Sequence, residues 1–445
     1  MRKYMIRTTI KLTIVLFLAL AVCETVWASQ VKLDVAMSTP VLLVNENNKA
    51  YLQVGMTGFE FKNPNERPPV NVAIVLDKSG SMTGTKIARA KEAAIMAIDR
   101  LRNDDIVSVI TYDTTVCVVI PATKVSDRER IRSRIRTINA SGNTALFAGM
   151  SKGAAEIRKF LDKGRVNRIV LLSDGLANVG PSSPADLAEL GTSLSAEGIA
   201  VTTIGLGLDF NEDLMTALAE NSDGNHMFAE NAVDLARAFD AEFGDVLSVV
   251  AQDVTVRIEC ADGVRPVRVL GRKADVAGQI VISSLRQLYA RQMKYVMLEV
   301  EIEPGVAGSE KLVASVDVSY ANMATHTTDK LQSSVSTRFT DSATEVTKNT
   351  NKDVMVEVID QIGMENAEAA MKLRDEGKIE EARQKFDANK LFIDTSNAPF
   401  LSEKLDKRAF SNTLWSESLD EKEWKKARKS VKGEQFKVQN QQIDN

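Results

Sequence analysis

Histidine and cysteine are scarce. The chain has 2 histidines and 3 cysteines in 445 residues, and His226 and His326 stand far apart in sequence. A histidine-rich catalytic cluster is excluded, and so is a zinc site, because no Cys-x-x-Cys or comparable spacing occurs. His226, beside a predicted strand from Met227 to Ala229, reads as a sheet-edge or loop residue rather than a ligand. Cys117 and Cys260 each sit in a short β-like run, and read as small buried hydrophobes, although an exported chain permits a disulfide. No phosphate-binding glycine loop is present: Gly205-Leu206-Gly207 lacks the Gly-x-Gly-x-x-Gly pattern and fits a close turn after a strand. The formal charge is -4, with no concentrated basic face, which argues against nucleic acid as a partner. Beyond the N-terminus, no apolar run is long enough to cross a bilayer.

The N-terminus itself has the order of a secretory signal peptide. Basic residues from Arg2 to Lys11 precede an apolar run from Leu12 to Val22 and a small-residue exit at Val26-Trp27-Ala28. Residues 1–28 are therefore expected to be removed, leaving Ser29 first and a protein exported to the periplasm, extracellular space or cell surface. Leu20-Ala21-Val22-Cys23 is similar to a lipoprotein box, but Val22 stands where a small residue is required. Lipidation at Cys23 and an uncleaved anchor are the two alternatives.

At this length two or three domains are expected. Residues 29–68 read as β strands, followed by a proline-rich link. From 71 to 249, short apolar strands alternate with amphipathic helices. This predicts βαβ units and an α/β fold with a doubly wound, mostly parallel six-stranded sheet. Residues 250–340 switch to a period of two, which predicts an antiparallel β-sandwich. The N-terminal strands are its natural missing members, so the α/β unit would be inserted between two halves of one β domain. Residues 353–431 form a helical C-terminal region, and 432–445 read as a frayed polar tail. Within the last helix, Lys422, Lys425, Lys426, Arg428 and Lys429 with Trp424 fit either an anionic surface, such as a membrane face, or an ordinary solvated helix.

The stretch Val72 to Met82, Val-Ala-Ile-Val-Leu-Asp-Lys-Ser-Gly-Ser-Met, carries the chemistry. A buried strand ends in Asp77, Ser79 and Ser81 at alternate positions, and a helix follows. Ligands of open α/β sheets bind beyond the carboxyl ends of such strands. Ser141-Gly142-Asn143-Thr144 precedes another helix, and Ile169 to Leu172 leads into Ser173-Asp174-Gly175. One carboxylate and two hydroxyls, without His or Cys, suit a hard cation such as Mg²⁺, Mn²⁺ or Ca²⁺.

Together, Asp-x-Ser-x-Ser, Thr144 and Asp174-Gly175 resemble the metal-ion-dependent adhesion site of the von Willebrand factor type A family. The resemblance implies that Ser79, Ser81 and Thr144 bind the cation through their hydroxyls, that Asp77 and Asp174 act directly or through water, and that one open position takes an acidic oxygen ligand from a partner. The β-flanked arrangement also resembles secreted bacterial proteins with such a domain, some labelled chloride-channel-like, and inter-alpha-trypsin inhibitor heavy chains. The implied function is a non-enzymatic, exported protein-binding or adhesion module whose protein partner presents a carboxylate. Loops 82–85, 113–116, 139–143 and 176–183 would rim the site. Two alternatives are a scaffold acting through its C-terminal helices and a metal-assisted hydrolase using Asp77 or Asp174 as base.

Overall fold

A computed structural model describes residues 30–442. The expected signal peptide, Cys23 and the expected cleavage point after Ala28 lie outside the described residues. The chain opens with β1 (Lys32–Met37), β2 (Val41–Leu43) and β3 (Asn48–Thr57). The α/β unit then runs through β4 (Val70–Asp77), α1 (Thr85–Asp99), β5 (Ile106–Tyr112), β6 (Val116–Lys124), α2 (Arg128–Arg136), α3 (Leu146–Arg158), β7 (Val166–Ser173), α4 (Pro184–Ala196), β8 (Ile199–Leu206), α5 (Glu212–Asn221), β9 (His226–Ala229) and α6 (Asp234–Val246). Next come β10 (Val249–Cys260), β11 (Val264–Leu270), β12 (Asp275–Ala277), β13 (Ile280–Tyr289), β14 (Met293–Ile302), β15 (Glu310–Asn322) and β16 (Thr327–Thr340). Five helices follow: α7 (Ala343–Asn349), α8 (Lys352–Asp375), α9 (Ile379–Asn397), α10 (Glu403–Glu417) and α11 (Glu421–Asn440).

Every residue of β4, β5, β7 and β8 is buried, because helices cover both faces of their sheet. Its order is β6-β5-β4-β7-β8-β9, with only β6 antiparallel. Helices α1 and α6 pack Ala90, Ala94, Phe239 and Phe243 on one face, while α3 to α5 pack Met150, Leu187 and Leu218 on the other. From β4 the chain goes outward to β5, then returns to place β7 on the opposite side. That reversal opens a crevice at the carboxyl ends of β4 and β7, where Asp77 and Asp174 stand.

The remaining strands form two facing sheets, β1-β3-β14-β11 and β12-β13-β10-β15-β16-β2. Strand β3 pairs with β14 from Asn48 to Thr57, and β2 runs parallel to the end of β16. Leu52, Val54, Val256, Ile258, Leu298 and Val316 fill the space between the sheets. The outer face of β3 and β14 is not solvated: Tyr51, Tyr295 and Met297 meet Val354 and Val358 of α8. This second covering explains why β3 reads as a nearly continuous buried run.

Three sequence expectations need correction. Residues 432–442 of the segment 432–445, read as a frayed tail, are ordered by packing, since α11 continues to Asn440, with Phe436 and Val438 buried and Gln361 Nε2 donating to the Val438 carbonyl at 2.8 Å; 443–445 lie outside the described residues. Their polar composition conceals two apolar anchors, Phe436 and Val438. The basic side of α11 is not an ordinary solvated face or a free membrane face: Lys425, Lys426, Arg428 and Lys429 pair with carboxylates of the α/β unit, the last two largely buried and the first two still exposed. Cys117 is exposed on edge strand β6, while Cys260 is buried, and both are free thiols; burial pushes the Cys260 thiol up to about 11. Among the described residues, no helix is long and apolar enough to cross a membrane.

Candidate metal centre

The turn after β4 is held by its own first residue. Asp77 is fully buried; its Oδ1 accepts from the Ser79 backbone N–H at 2.8 Å and its Oδ2 from Ser173 Oγ at 2.9 Å. These bonds aim the following segment back across the sheet edge, where Ser79 Oγ lies 3.0 Å from Ser81 Oγ. Ser81 Oγ donates to Asp174 Oδ1 at 2.6 Å. Asp77, Ser79, Ser81 and Asp174 are thus linked by successive hydrogen bonds, the first through the Ser79 backbone N–H.

Thr144 arrives from a second loop. Gly80 N–H donates to the Gly142 carbonyl at 2.9 Å, and Ser141 N–H to the Lys78 carbonyl at 2.6 Å, which stitches the two loops together. Gly142 has φ 76°, and a Cβ there would come within 2.8 Å of Thr114 Oγ1, so this crossing requires glycine. Asn178 Oδ1 accepts from Thr144 N–H at 2.9 Å. A methyl group on Gly175 would stand 3.5 Å from Ser81 Oγ and 3.7 Å from Thr144 Oγ1. The threonine and serine hydroxyls therefore converge on one cradle beside Asp174, and all five residues singled out from the sequence meet at the β4–β7 crevice.

The donor set fits a hard divalent cation. Three hydroxyls and two carboxylates supply neutral and anionic oxygens, and no His or Cys competes. Among the described residues there is no group of three or more His, Cys, Asp or Glu side chains suited to a metal, which agrees with a site built chiefly from hydroxyls. Burial raises the Asp77 carboxyl above its ordinary range, hydrogen bonds from Ser79 and Ser173 act against that, and the negative charge of Asp174 adds to it. Two carboxylates crowded in this way are relieved by a cation.

Two lysines near the site carry no signal in the motif. Lys86, in the first turn of α1, places Nζ 2.5 Å from Asp174 Oδ2. Lys78 pairs with Asp113, which also accepts from Ser141 Oγ at 3.0 Å. Burial would raise the Asp113 carboxyl, but Lys78, Thr115 and Ser141 outweigh it and hold the group well below the carboxylate range. Asp113 is thus a brace between loops. Only the spacing of Lys86 from Ser81, one helical entry away, was available as a signal. His226 lies elsewhere, buried at the sheet edge with Nδ1 2.8 Å from Thr203 Oγ1.

One side of the site opens into a cleft of about 660 Å³. Ser81, Thr144 and Gly175 lie at one end, while Trp424, Lys425 and Arg428 of α11 form the far wall.

Comparison with known proteins agrees with this fold. The chain is 30% identical over 275 residues to the protein sll0103 of Synechocystis sp., covering 60% of this chain and 64% of that one. It is 28% identical over 170 residues to inter-alpha-trypsin inhibitor heavy chain H3 of Pongo abelii, covering 36% and 19% respectively. The chain thus spans less than two thirds of the length of either relative. A solved von Willebrand factor type A protein from Catenulispora acidiphila superposes with a TM-score of 0.66 over 86% of this chain and 91% of that one; at 18% identity, this is a likeness of fold. The family model for the von Willebrand factor type A domain matches residues 71–241, and members of this family commonly act as metal-dependent protein-interaction modules. Residues 71–241 of this chain thus match the von Willebrand factor type A domain in sequence pattern and in fold.

Proposed function

We propose that the protein is an exported, non-enzymatic binding module that captures an acidic oxygen ligand of a protein partner through a divalent cation, Mg²⁺ or a similar hard ion. The supporting observation is the convergence of the Ser79, Ser81 and Thr144 hydroxyls with the buried carboxylates of Asp77 and Asp174. A cation held there supplies a positive centre with room for one outside oxygen. The chain's own part is to hold that position: Asp77 orients the serine turn, Asn178 seats Thr144, and Lys78–Asp113 braces the loops. A hydrolytic reading is less favoured, because both Asp77 oxygens already accept hydrogen bonds and Asp174 is engaged by Ser81 and Lys86. Neither carboxylate is left as a free base for water. Export rests on the N-terminal signal-peptide pattern.

Calorimetric titration of the protein with Mg²⁺, Mn²⁺ and Ca²⁺ tests this reading. One site is expected, absent in Asp77→Ala and weakened in Thr144→Ala, which removes a neutral ligand only. Capture of envelope proteins is expected to vanish with chelator. No divalent-ion binding by the wild type at about millimolar concentration would overturn the proposal in favour of a scaffold acting through its helices.

A further inference from the structure

Helix α11 begins at Glu421, 175 positions after the α/β unit ends at Val246, with the sandwich and four helices between, yet it returns to the rim of the proposed metal site. Lys425 Nζ lies 2.6 Å from Asp209 and Lys426 Nζ 2.6 Å from Glu230. Arg428 reaches Glu212 at 2.6 Å and Asp213 at 2.7 Å. Lys429, nearly inaccessible to solvent, pairs with Glu212, donates to the Phe210 carbonyl at 2.8 Å and sits 4.1 Å from the centre of the Phe210 ring. Lys432 stands 3.5 Å from Asp213. Without α11, this side of the domain would present Asp209, Glu212, Asp213 and Glu230 to any ligand approaching the metal. Four carboxylates there would repel an acidic group. The five cations of α11 offset them; Asp375, which shares Arg428, and Glu421 also line the cleft, so the wall is brought close to balance and the attraction for an acidic group comes from the bound cation.

The cleft is bounded by this neutralised rim, by the metal site and by Leu176, whose side chain is 60% exposed. Its volume of about 660 Å³ accommodates a few residues of extended chain, not the flat face of a folded domain. Lys425 is the wall cation most readily released, since it is 54% exposed and paired with an Asp209 that is 71% exposed. Such exposed pairs are weak and easily released. By contrast, Arg428 and Lys429 are tied to the domain by several partners each and act as anchors.

We infer that helix α11 is a working wall of the ligand site: the cleft between the metal centre and Trp424–Lys425 takes an extended acidic peptide segment, with one carboxylate directed to the cation and an adjoining apolar side chain against Leu176. This rests on the metal-dependent reading above and adds to it the direction of approach and the form of the partner. It also gives the C-terminal helices a share in binding, which the sequence had set apart as an alternative function.

The test uses the full chain in excess Mg²⁺ against a bead-bound library of acetylated, amidated hexapeptides with Asp fixed at one position, and a matched library with Asn in its place. The wild type is expected to select Asp peptides, and to enrich apolar residues beside the Asp, only when Mg²⁺ is present. The K425E/K426E double variant should lower affinity for the selected peptides by about tenfold or more, since two attractions become repulsions, while Mg²⁺ titration stays as in the wild type. Leu176→Asp, which touches no ion pair, should erase the apolar preference and guards against misfolding of the double variant. Asn139→Glu places the same charge on the rim away from the cleft and should have little effect. If Asn139→Glu abolishes selection while K425E/K426E and Leu176→Asp retain it, the approach is from the other side and this inference fails with the metal reading intact. If the wild type binds Mg²⁺ but selects no Asp peptide, the acidic-segment assignment fails. If it binds no Mg²⁺, the metal reading itself fails.

Discussion

Lys86 makes the metal centre more than a set of ligands. Its ammonium, 2.5 Å from Asp174 Oδ2, is a tethered cation on a carboxylate that the proposed divalent ion would also need. In the metal-free protein it offsets the mutual repulsion of Asp77 and Asp174; on metal binding it must yield part of that contact. Lys86→Met keeps the apolar stem and removes the charge. We expect the metal-free variant to melt at a lower temperature and to bind Mg²⁺ roughly three- to tenfold more tightly, the lysine being 30% exposed and its pairing discounted accordingly. Calorimetry with paired thermal melts checks both, and weaker Mg²⁺ binding would show that Lys86 supports the loaded site instead. Gly142 bears a different load. At φ 76°, with Thr114 Oγ1 only 2.8 Å from where a Cβ would stand, Gly142→Ala should cost about 1–3 kcal/mol, seen as a lower urea midpoint. It should also weaken Mg²⁺ binding, because Thr144 loses its seat.

At the level of elements, the seam between β9 and α11 is acid-sensitive. The His226 ring is buried, bonded to Thr203 and set edge-on to Phe436 of α11 with centroids 5.8 Å apart. Burial pulls its pKa down to about 3; Glu212 opposes the fall, while Lys429 and Lys432 add to it. The unfolded chain therefore takes up a proton below about pH 6.5 that the folded chain refuses until about pH 3. Stability rises with pH across this window and is lost as pH falls through it. Between pH 6.5 and pH 5 the loss from this one group is about 2 kcal/mol. His226→Asn, which can keep a bond to Thr203, should remove that part of the acid sensitivity, measured by urea unfolding at pH 7 and pH 5. An identical pH dependence in wild type and variant would count against it.

Across the whole molecule, the inserted domain and the sandwich are locked by buried charge. Arg168 of β7, fully buried, donates to Thr202 Oγ1 at 3.0 Å and, across the boundary, to Gln287 Oε1 at 2.5 Å and Tyr289 Oη at 3.0 Å of β13, with Glu242 of α6 at 3.5 Å. Tyr289 and Met323 of the sandwich also belong to the apolar core of the α/β unit. A shared core and the hydrogen bonds that a buried guanidinium makes across the boundary predict that the domains unfold together. Differential scanning calorimetry should show one transition for the wild type. Arg168→Met leaves Glu242 buried without its cation and should cost about 3–5 kcal/mol, splitting the transition in two. A wild type that already melts in two steps would show that the boundary carries little energy.

The local half of this structure was legible in the chain. The apolar runs 72–76 and 169–172 announce strands buried on both faces, the helical and two-residue periods mark where sheet type changes, and Asp77, Ser79, Ser81, Thr144 and Asp174 stand at strand ends and a helix entry, where topology alone brings them to one edge. These signals are short-range, since periodicity and turn chemistry depend on residues a few positions apart. The C-terminus shows the limit. Residues 432–440 look like a tail because their composition is polar, and the cations of α11 look solvated because acidic neighbours such as Glu421 and Glu423 flank them. Only the tertiary structure sets those cations against Asp209, Glu212, Asp213 and Glu230, and Phe436 against His226. Likewise, nothing local ties Arg168 to Gln287, or Lys86 to Asp174. Such pairs are chosen by how packed elements meet across long stretches of chain, and a buried or half-buried charge takes whichever opposite charge the packing brings within reach.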